Sequence, residues 1–457
     1  MTVICWFRRV LRLDDHPALV AAAGSGPVIP LVILDPAEAR DHPASAQRQA
    51  LSLPRLQAAL HGRNSRLILR RGDPAEVLER IARETGATAI HTTEGFPFAS
   101  DHGLKAAALR GGAALHLHPL ADLVPRGSVT TQQGGIYKVF TPFWRALRTT
   151  RIEAPLNPPS LTLPETWPDS DGTDWPEARA VMDRGWPVVA DHVQPGEDAA
   201  RDRLDDFLHG PVRDYADHRD QPWRDGTSNL SDALAVGEIS ARRIWHVGQA
   251  AREAGRQGVE GFLREVAWRE FARELFHEMP QMDQTCWREE WNDFPWKRDN
   301  NDAENWRRGL TGVAMVDAGM RELFVTGRMH NRVRMIVGSY LTKHLLTDWR
   351  VGLDWFARTL IDWDAASNAM NWQWVAGCGP DSAPYFRVFN PDTQAGKFDA
   401  AARYRDHWLK PDARGAQAFA RAAPRSWQID LDRTPMPAIS LSQGRSRALT
   451  AYEDFKD

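Results

Sequence analysis

The chain has 457 residues, of which 42% are apolar and 26% charged, and its formal net charge is −3. That length calls for two or three domains, and a charge so near zero excludes a uniformly basic nucleic-acid binder while leaving room for a local basic patch. No apolar run approaches the roughly 18 residues that cross a bilayer, and the opening MTVICWFRRV lacks a signal-peptide pattern. A cytoplasmic monomer with no membrane contact is the expectation. Cys5, Cys286 and Cys378 are far apart with no CxxC pair, which excludes a disulfide framework and a four-cysteine cluster. No metal site is expected.

Apolar runs at VICWF (3 to 7), PVIPLVILD (27 to 35), SRLILRRGD (65 to 73), ATAIHTTE (87 to 94) and ALHLHPL (114 to 120) alternate with helical segments near 44 to 60, 74 to 85 and 100 to 109. Between the first two runs, RRVLRLDDHPAL reads as a loop that turns into a helix. This rhythm predicts a parallel sheet covered on both faces, a Rossmann-like α/β domain over residues 1–125. It has no GxGxxG turn after the first strand, so dinucleotide binding by that mechanism is not expected. Residues 126–195 are rich in Pro, Gly, Asp and Ser and read as a long surface connection. Within them GGIYKVFTPFWRALR (134 to 148) reads as an ordered piece.

From residue 196 to 457 helical periodicity takes over. An all-α domain is expected, with its body running to about His407 and its last fifty residues Ala- and Arg-rich, ending in a short polar tail. In GTSNLSDALAVGEIS (226 to 240), Thr227, Ser228 and Ser231 surround a tight turn before a helix. The structural reading is an N-cap made by Ser231 or Asp232, and the functional one is an anion site. EVAWREFARELF (265 to 276) places Glu265, Trp268 and Arg269 on one helical face. Glu265 either pairs with Arg269 along the helix or is buried, where its pKa would rise and let it donate a proton.

The densest stretch is 327 to 391. Asn331, Arg334 and Met335 fall at i, i+3 and i+4, flanked by Arg328 and Arg332, and Asp362, Asp364 and Asn368 follow among tryptophans. Ten of the 19 Trp lie between Trp268 and Trp374. Buried polar groups among so many aromatics need partners, and a polar, planar ligand would supply them. Between Met320 and Arg358 seven Arg or Lys face three Asp or Glu, either a basic patch or a solvated helical face.

GTSNLS, AWREF, MHNRVRM, IDWDAASNAMNWQW and APYFRVFNP, in that order, with WFRRVLRLDDHPAL and IYKVFTPFWR before them, resemble the photolyase/cryptochrome family, closest to class I cyclobutane pyrimidine dimer photolyases. The resemblance covers nearly the whole chain. It implies an α/β antenna domain, an α-helical FAD domain and light-driven repair of UV-damaged DNA by reduced FAD. A second antenna pigment of unspecified kind (folate, deazaflavin or flavin) is also implied. Tyr215, Thr227, Ser228, Leu230, Ser231, Arg269, Asn331, Arg334, Asp362, Asp364 and Asn368 match flavin contacts, with Arg334 paired to Asp362 and Asn368 facing the redox-active ring nitrogen. Glu265, Trp268, Arg332, Met335 and Trp374 match positions that touch a flipped dimer, and Arg219 and Arg387 match phosphate clamps. Glu265, Asn331, Met335 and Asn368 carry the catalytic assignments. Trp372, Trp349 and Trp306 match an electron-transfer triad running from flavin to surface. A cryptochrome photoreceptor is the alternative on the same fold. The chain departs from the family pattern at Arg328, where Trp is usual, and at Val313 to Met315. It also departs at Phe96 and Asp283 to Gln284, where the folate-holding residues stand in well-known members.

Overall fold

The computed structural model describes residues 1–95, 101–180, 186–382 and 387–456. Phe96 and residues 383–386 of the APYFRVFNP motif lie outside the described residues. The strands Val3–Trp6 (β1), Val28–Leu34 (β2), Ile68–Arg71 (β3), Ala89–Thr93 (β4) and Ala114–His118 (β5) form one parallel sheet in the order β3-β2-β1-β4-β5. β1 and β2 are buried at every residue, which is why they read as unbroken apolar runs rather than alternating ones. β1 pairs on one side with β2, Val3 against Val28, and on the other with β4, Val3 against Ala89. The strand order therefore reverses at β1, and a crevice opens at the carboxyl ends of β1 and β4.

The 126–195 segment differs from the surface connection expected. Trp175 is buried in the core of the α/β domain. Asp171 donates its N–H to the Leu69 carbonyl, and Arg71 N–H donates to the Asp171 carboxylate. The physical reason is the free edge of β3, whose backbone groups need partners. The ordered piece within this segment is the helix Phe140–Leu147 (α2), whose Phe140 ring stacks on Trp268 at 3.6 Å and 8°.

Two bolts join the α/β sheet to the helices. In the first, Arg48 of the helix Pro43–His61 (α1) reaches across to Asp232 (2.7 Å) and Glu238 (2.5 Å), and all three side chains are essentially solvent-free. Asp232 lies on the short helix Ser231–Val236 (α3). In the second, the buried Arg12 guanidinium donates to the carbonyls of Asp14, Asp15 and Gly237, while Asp14 and Asp15 pair with Arg243 and Arg242. Gly237 has φ 77°, and a Cβ there would meet the Arg9 carbonyl oxygen at 2.4 Å, so no other residue fits this seam.

The helical part is built around Val259–Glu278 (α4), Ala314–Thr326 (α5), Asn331–Ser339 (α6), Trp349–Thr359 (α7) and Ala365–Ala376 (α8). Val313 and Met315, which depart from the family pattern, are buried apolar side chains at the start of α5. The polar tail expected at the end is instead part of the fold. Helices Arg403–Leu409, Arg414–Ala422 and Leu441–Lys456 bring Trp408, Phe419 and Ala448 into the main core. Their apolar spacing among Ala and Arg was hidden by a composition that reads as solvated.

α4 also grips the start of the interdomain segment. Glu270 accepts the N–H groups of Leu123 and Val124 at 3.2 Å each, and Glu274 accepts that of Gly127. Burial, reinforced by the charge of Asp122, pushes the Glu270 carboxyl up to about 8. The folded protein therefore holds a proton that the unfolded chain releases above its ordinary 4.5. This contribution to stability is full below about pH 4.5 and is lost as pH rises through about 8. The gap in melting temperature between the wild type and Glu270→Gln is expected to be larger at pH 5 than at pH 8.5. A gap independent of pH contradicts the assignment.

Candidate functional site

A cavity of about 110 Å³ opens between α6, α7 and α8. Its wall includes Asn331, Arg334, Met335, Asp362, Asp364, Asn368, Trp372 and Trp374, every one of them singled out by the sequence. The i, i+3, i+4 spacing on α6 does what periodicity predicts, turning Asn331, Arg334 and Met335 to one side. His330 caps the helix, accepting the Arg332 N–H at 3.2 Å.

Arg334 Nη2 donates to Asp362 Oδ2 at 2.7 Å and its Nε to the Met329 carbonyl at 2.7 Å. Asp362 Oδ1 is buried without a hydrogen-bond partner. An oriented carboxylate with an unused acceptor on a cavity wall fits a ligand carrying N–H groups. Asn368 donates its amide to the Leu353 carbonyl at 3.0 Å, which fixes the side chain in the wall. Asp364 caps α8 through the Ser367 N–H and pairs with Arg273. Burial alone would raise its carboxyl, but Arg273 and Arg269 hold it down at about 2.

A second cavity, of about 70 Å³, lies at the carboxyl ends of β1 and β4 and shares Trp363 and Asp364 with the first. Arg269 lines it. Asp122 holds both Arg269 (3.3 Å) and Arg273 (2.8 Å). Sequence reasoning missed Arg273, although it lies one helical turn after Arg269 on the same face of α4. It also missed Trp363, whose ring stacks on His42 at 3.6 Å.

The remaining assigned residues line neither cavity. Tyr215 packs its ring against Phe207 and Phe262. Thr227 Oγ1 donates to Asn229 at 3.3 Å. Leu230 is buried, Ser228 sits at the turn before α3, and Ser231 is the first residue of that helix. The expected N-cap is not made, because Leu230 occupies the cap position and Asp232 is turned inward to Arg48. Glu265 pairs neither with Arg269 nor with the interior. Its carboxylate binds Arg219 at 2.5 Å and is 32% exposed, so the burial on which a proton-donating role depended is absent.

On the outer side Arg332 pairs with Asp220 (2.8 Å), and exposed Arg387 lies over the Trp374 ring at 5.9 Å. Trp268 has one face covered by Phe140. Arg328 points away from both cavities, toward Asp232 at 3.0 Å.

The outward course expected of Trp372, Trp349 and Trp306 is not found. Trp306 is fully buried, donates its indole N–H to the Val337 carbonyl and meets Trp372 directly, with ring centres 6.2 Å apart. On the helix Asn301–Arg307 it shares the inward face with Ala303, which is why it cannot end a path at the surface. Trp349 is buried as well. Trp296 is half-buried and precedes Lys297, whose backbone pairs with Leu346 and Asp348 just before Trp349.

The DNA photolyase family model matches residues 3–160, and the model of the FAD binding domain of DNA photolyase matches residues 262–454. A deoxyribodipyrimidine photo-lyase from Agrobacterium fabrum is 39% identical over 99% of this chain and 98% of its own length. Cryptochrome-1 of Arabidopsis thaliana is 32% identical, covering 89% of this chain and 62% of that protein. The crystal structure of a bacterial class III photolyase from Agrobacterium tumefaciens superimposes with a TM-score of 0.87 at 37% identity, covering 100% of this chain and 98% of that one. With its α/β sheet, its helical cavity and these matches along almost its whole length, the chain belongs to the DNA photolyase family.

Proposed function

We propose that this protein splits cyclobutane pyrimidine dimers in DNA under blue light, with reduced FAD in the cavity between α6, α7 and α8. The observation that carries this reading is the single wall formed by Asn331, Arg334, Met335, Asp362, Asn368 and Trp374. When bound, the reduced flavin supplies one photo-excited electron and takes it back.

The rest falls to the chain. Arg334 holds Asp362 in place as a fixed acceptor for a planar ring, and Asn368 presents a neutral amide beside it. A dimer inside a duplex cannot reach this depth, so it leaves the stack, at lower cost than an intact, well-paired base. Trp374 and Met335 offer apolar contact to the extruded bases. Arg219 and Arg387 neutralise backbone phosphates without reading sequence, and Arg332 contacts the extruded dimer. Glu265, held by Arg219, meets the lesion as part of that pair. The expected electron route is revised to leave Trp372 through Trp349 toward the partly exposed Trp296.

The test is loss of thymine dimers from an irradiated oligonucleotide under blue light, with a dark control. Light-dependent splitting supports repair, and none with flavin-loaded, reduced protein favours a photoreceptor. A second pigment, proposed on the family resemblance, would add an absorption band to that of the flavin. Trp349→Phe is expected to slow photoreduction of the oxidised cofactor about tenfold or more, a barrier change of about 1.4 kcal/mol, and to leave splitting by pre-reduced protein intact. Unchanged photoreduction removes Trp349 from the route.

A further inference from the structure

Arg328 stands in the connection between α5 and α6, where the family resemblance expects Trp, and neither cavity includes it. It belongs to a cluster of charges under the turn at 227–231. Arg48, Arg203 and Arg328 converge on Asp232, with Arg48 also held by Glu238. Three guanidinium groups thus meet these two carboxylates, and the buried Glu322 lies within electrostatic reach of Arg328 as well. Asp232 is completely buried, and the charges of Arg48, Arg328 and Arg203 keep it ionised far below its usual range despite that burial. A guanidinium in such surroundings is costly unless its donors are met.

The three arginines differ in how their donors are used. Arg48 is saturated by Asp232, Glu238 and Ser52. Arg203 donates to the Asn229 carbonyl at 2.8 Å and so props the turn from below. Arg328 is different. Its Nη2 lies 3.0 Å from Asp232 Oδ2, a charge contact at an angle too poor for a hydrogen bond, and both its Nε and its Nη2 are buried without a hydrogen-bond partner. The side chain keeps 26% of its surface open. An arginine with unspent donors beside the first turn of α3 is suited to a diphosphate, which guanidinium binds in a forked geometry.

We propose that Arg328, backed by Arg203, is the cationic seat for the diphosphate of a dinucleotide cofactor, a role this chain gives to an arginine at a position where the family resemblance expects an indole. The inference rests on the flavin reading above and assigns the phosphate half of that ligand. It separates the cofactor into two parts, the ring being held by the α6 to α8 wall and the diphosphate by the arginine cluster.

The experiment uses full-length protein stripped of bound flavin, as wild type, Arg328→Gln and Arg328→Lys, titrated with FAD, riboflavin and ADP. Arg328→Gln is expected to weaken FAD and ADP about tenfold or more, the loss of one charge-assisted contact, and to leave riboflavin within about twofold. Arg328→Lys keeps the charge and is expected to recover most of the FAD affinity. Equal weakening of FAD and riboflavin overturns the proposal in favour of a packing role, and undiminished FAD and ADP binding overturns it outright. A wild type that binds ADP but neither flavin sinks the flavin reading and leaves the diphosphate seat standing. If all three ligands fail to bind the wild type, both fall.

Discussion

Arg48→Met is expected to destabilise the protein by about 3 to 5 kcal/mol, the usual cost of removing one partner from a buried ion pair. The reason is what remains behind. Asp232 and Glu238 are 1% and 0% exposed at the side chain, and both depend on the Arg48 guanidinium. Without it two carboxylates stay in a dry seam between α1 and α3, with Arg203 and Arg328 left as the cations of that cluster. Scanning calorimetry of the wild type and the variant measures the effect, which is expected as an earlier transition or as separation of one transition into two. Adding Glu238→Gln to Arg48→Met is expected to return part of the loss, because it removes an unpaired charge. A variant that melts with the wild type would mean that the seam is wet and its charges are screened.

Asp362→Ala carries the second large effect, on ligand rather than fold. Asp362 is the partner of Arg334 on the cavity wall and the owner of a buried acceptor there without a hydrogen bond. Its removal frees Arg334 Nη2 and deletes the acceptor that a flavin ring would use. Affinity for FAD is expected to fall by a factor of about 30 or more, following the 2 to 5 kcal/mol typical of truncating one member of a hydrogen-bonded charge pair. Flavin absorbance of the purified variant and its melting temperature separate the two possible outcomes. Full flavin content in a folded variant would show that the ring is held elsewhere.

Much of this was legible because local pattern reports which face of an element is turned inward. The unbroken apolar runs of β1 and β2 announce a sheet covered on both sides, and the spacing of Asn331, Arg334 and Met335 puts all three on one wall. Pattern does not say which distant element will arrive to meet that face. Glu265 could be paired along its own helix or buried, yet its partner Arg219 lies 46 residues away. Trp306 carries the same residue type as a surface-ending indole, and only the packing of its helix on α6 and α7 turns it inward. Trp175 and Phe419 sit in stretches whose composition reads as solvated, and both are buried because an exposed sheet edge and a helical core needed covering. Arg328 reads as a loss of aromatic packing, whereas its meaning lies in Asp232, almost a hundred residues earlier.

On the proposed function, a ring held by Asn331, Arg334, Asp362 and Asn368 comes within electron-transfer reach of a base brought against Trp374 and Met335. Time-resolved fluorescence of the reduced, flavin-loaded protein measures that reach. A saturating oligonucleotide with one thymine dimer is predicted to shorten the emission lifetime, and the same strand without the dimer is predicted to leave it unchanged. Identical lifetimes with both strands, when both are bound, would contradict the account.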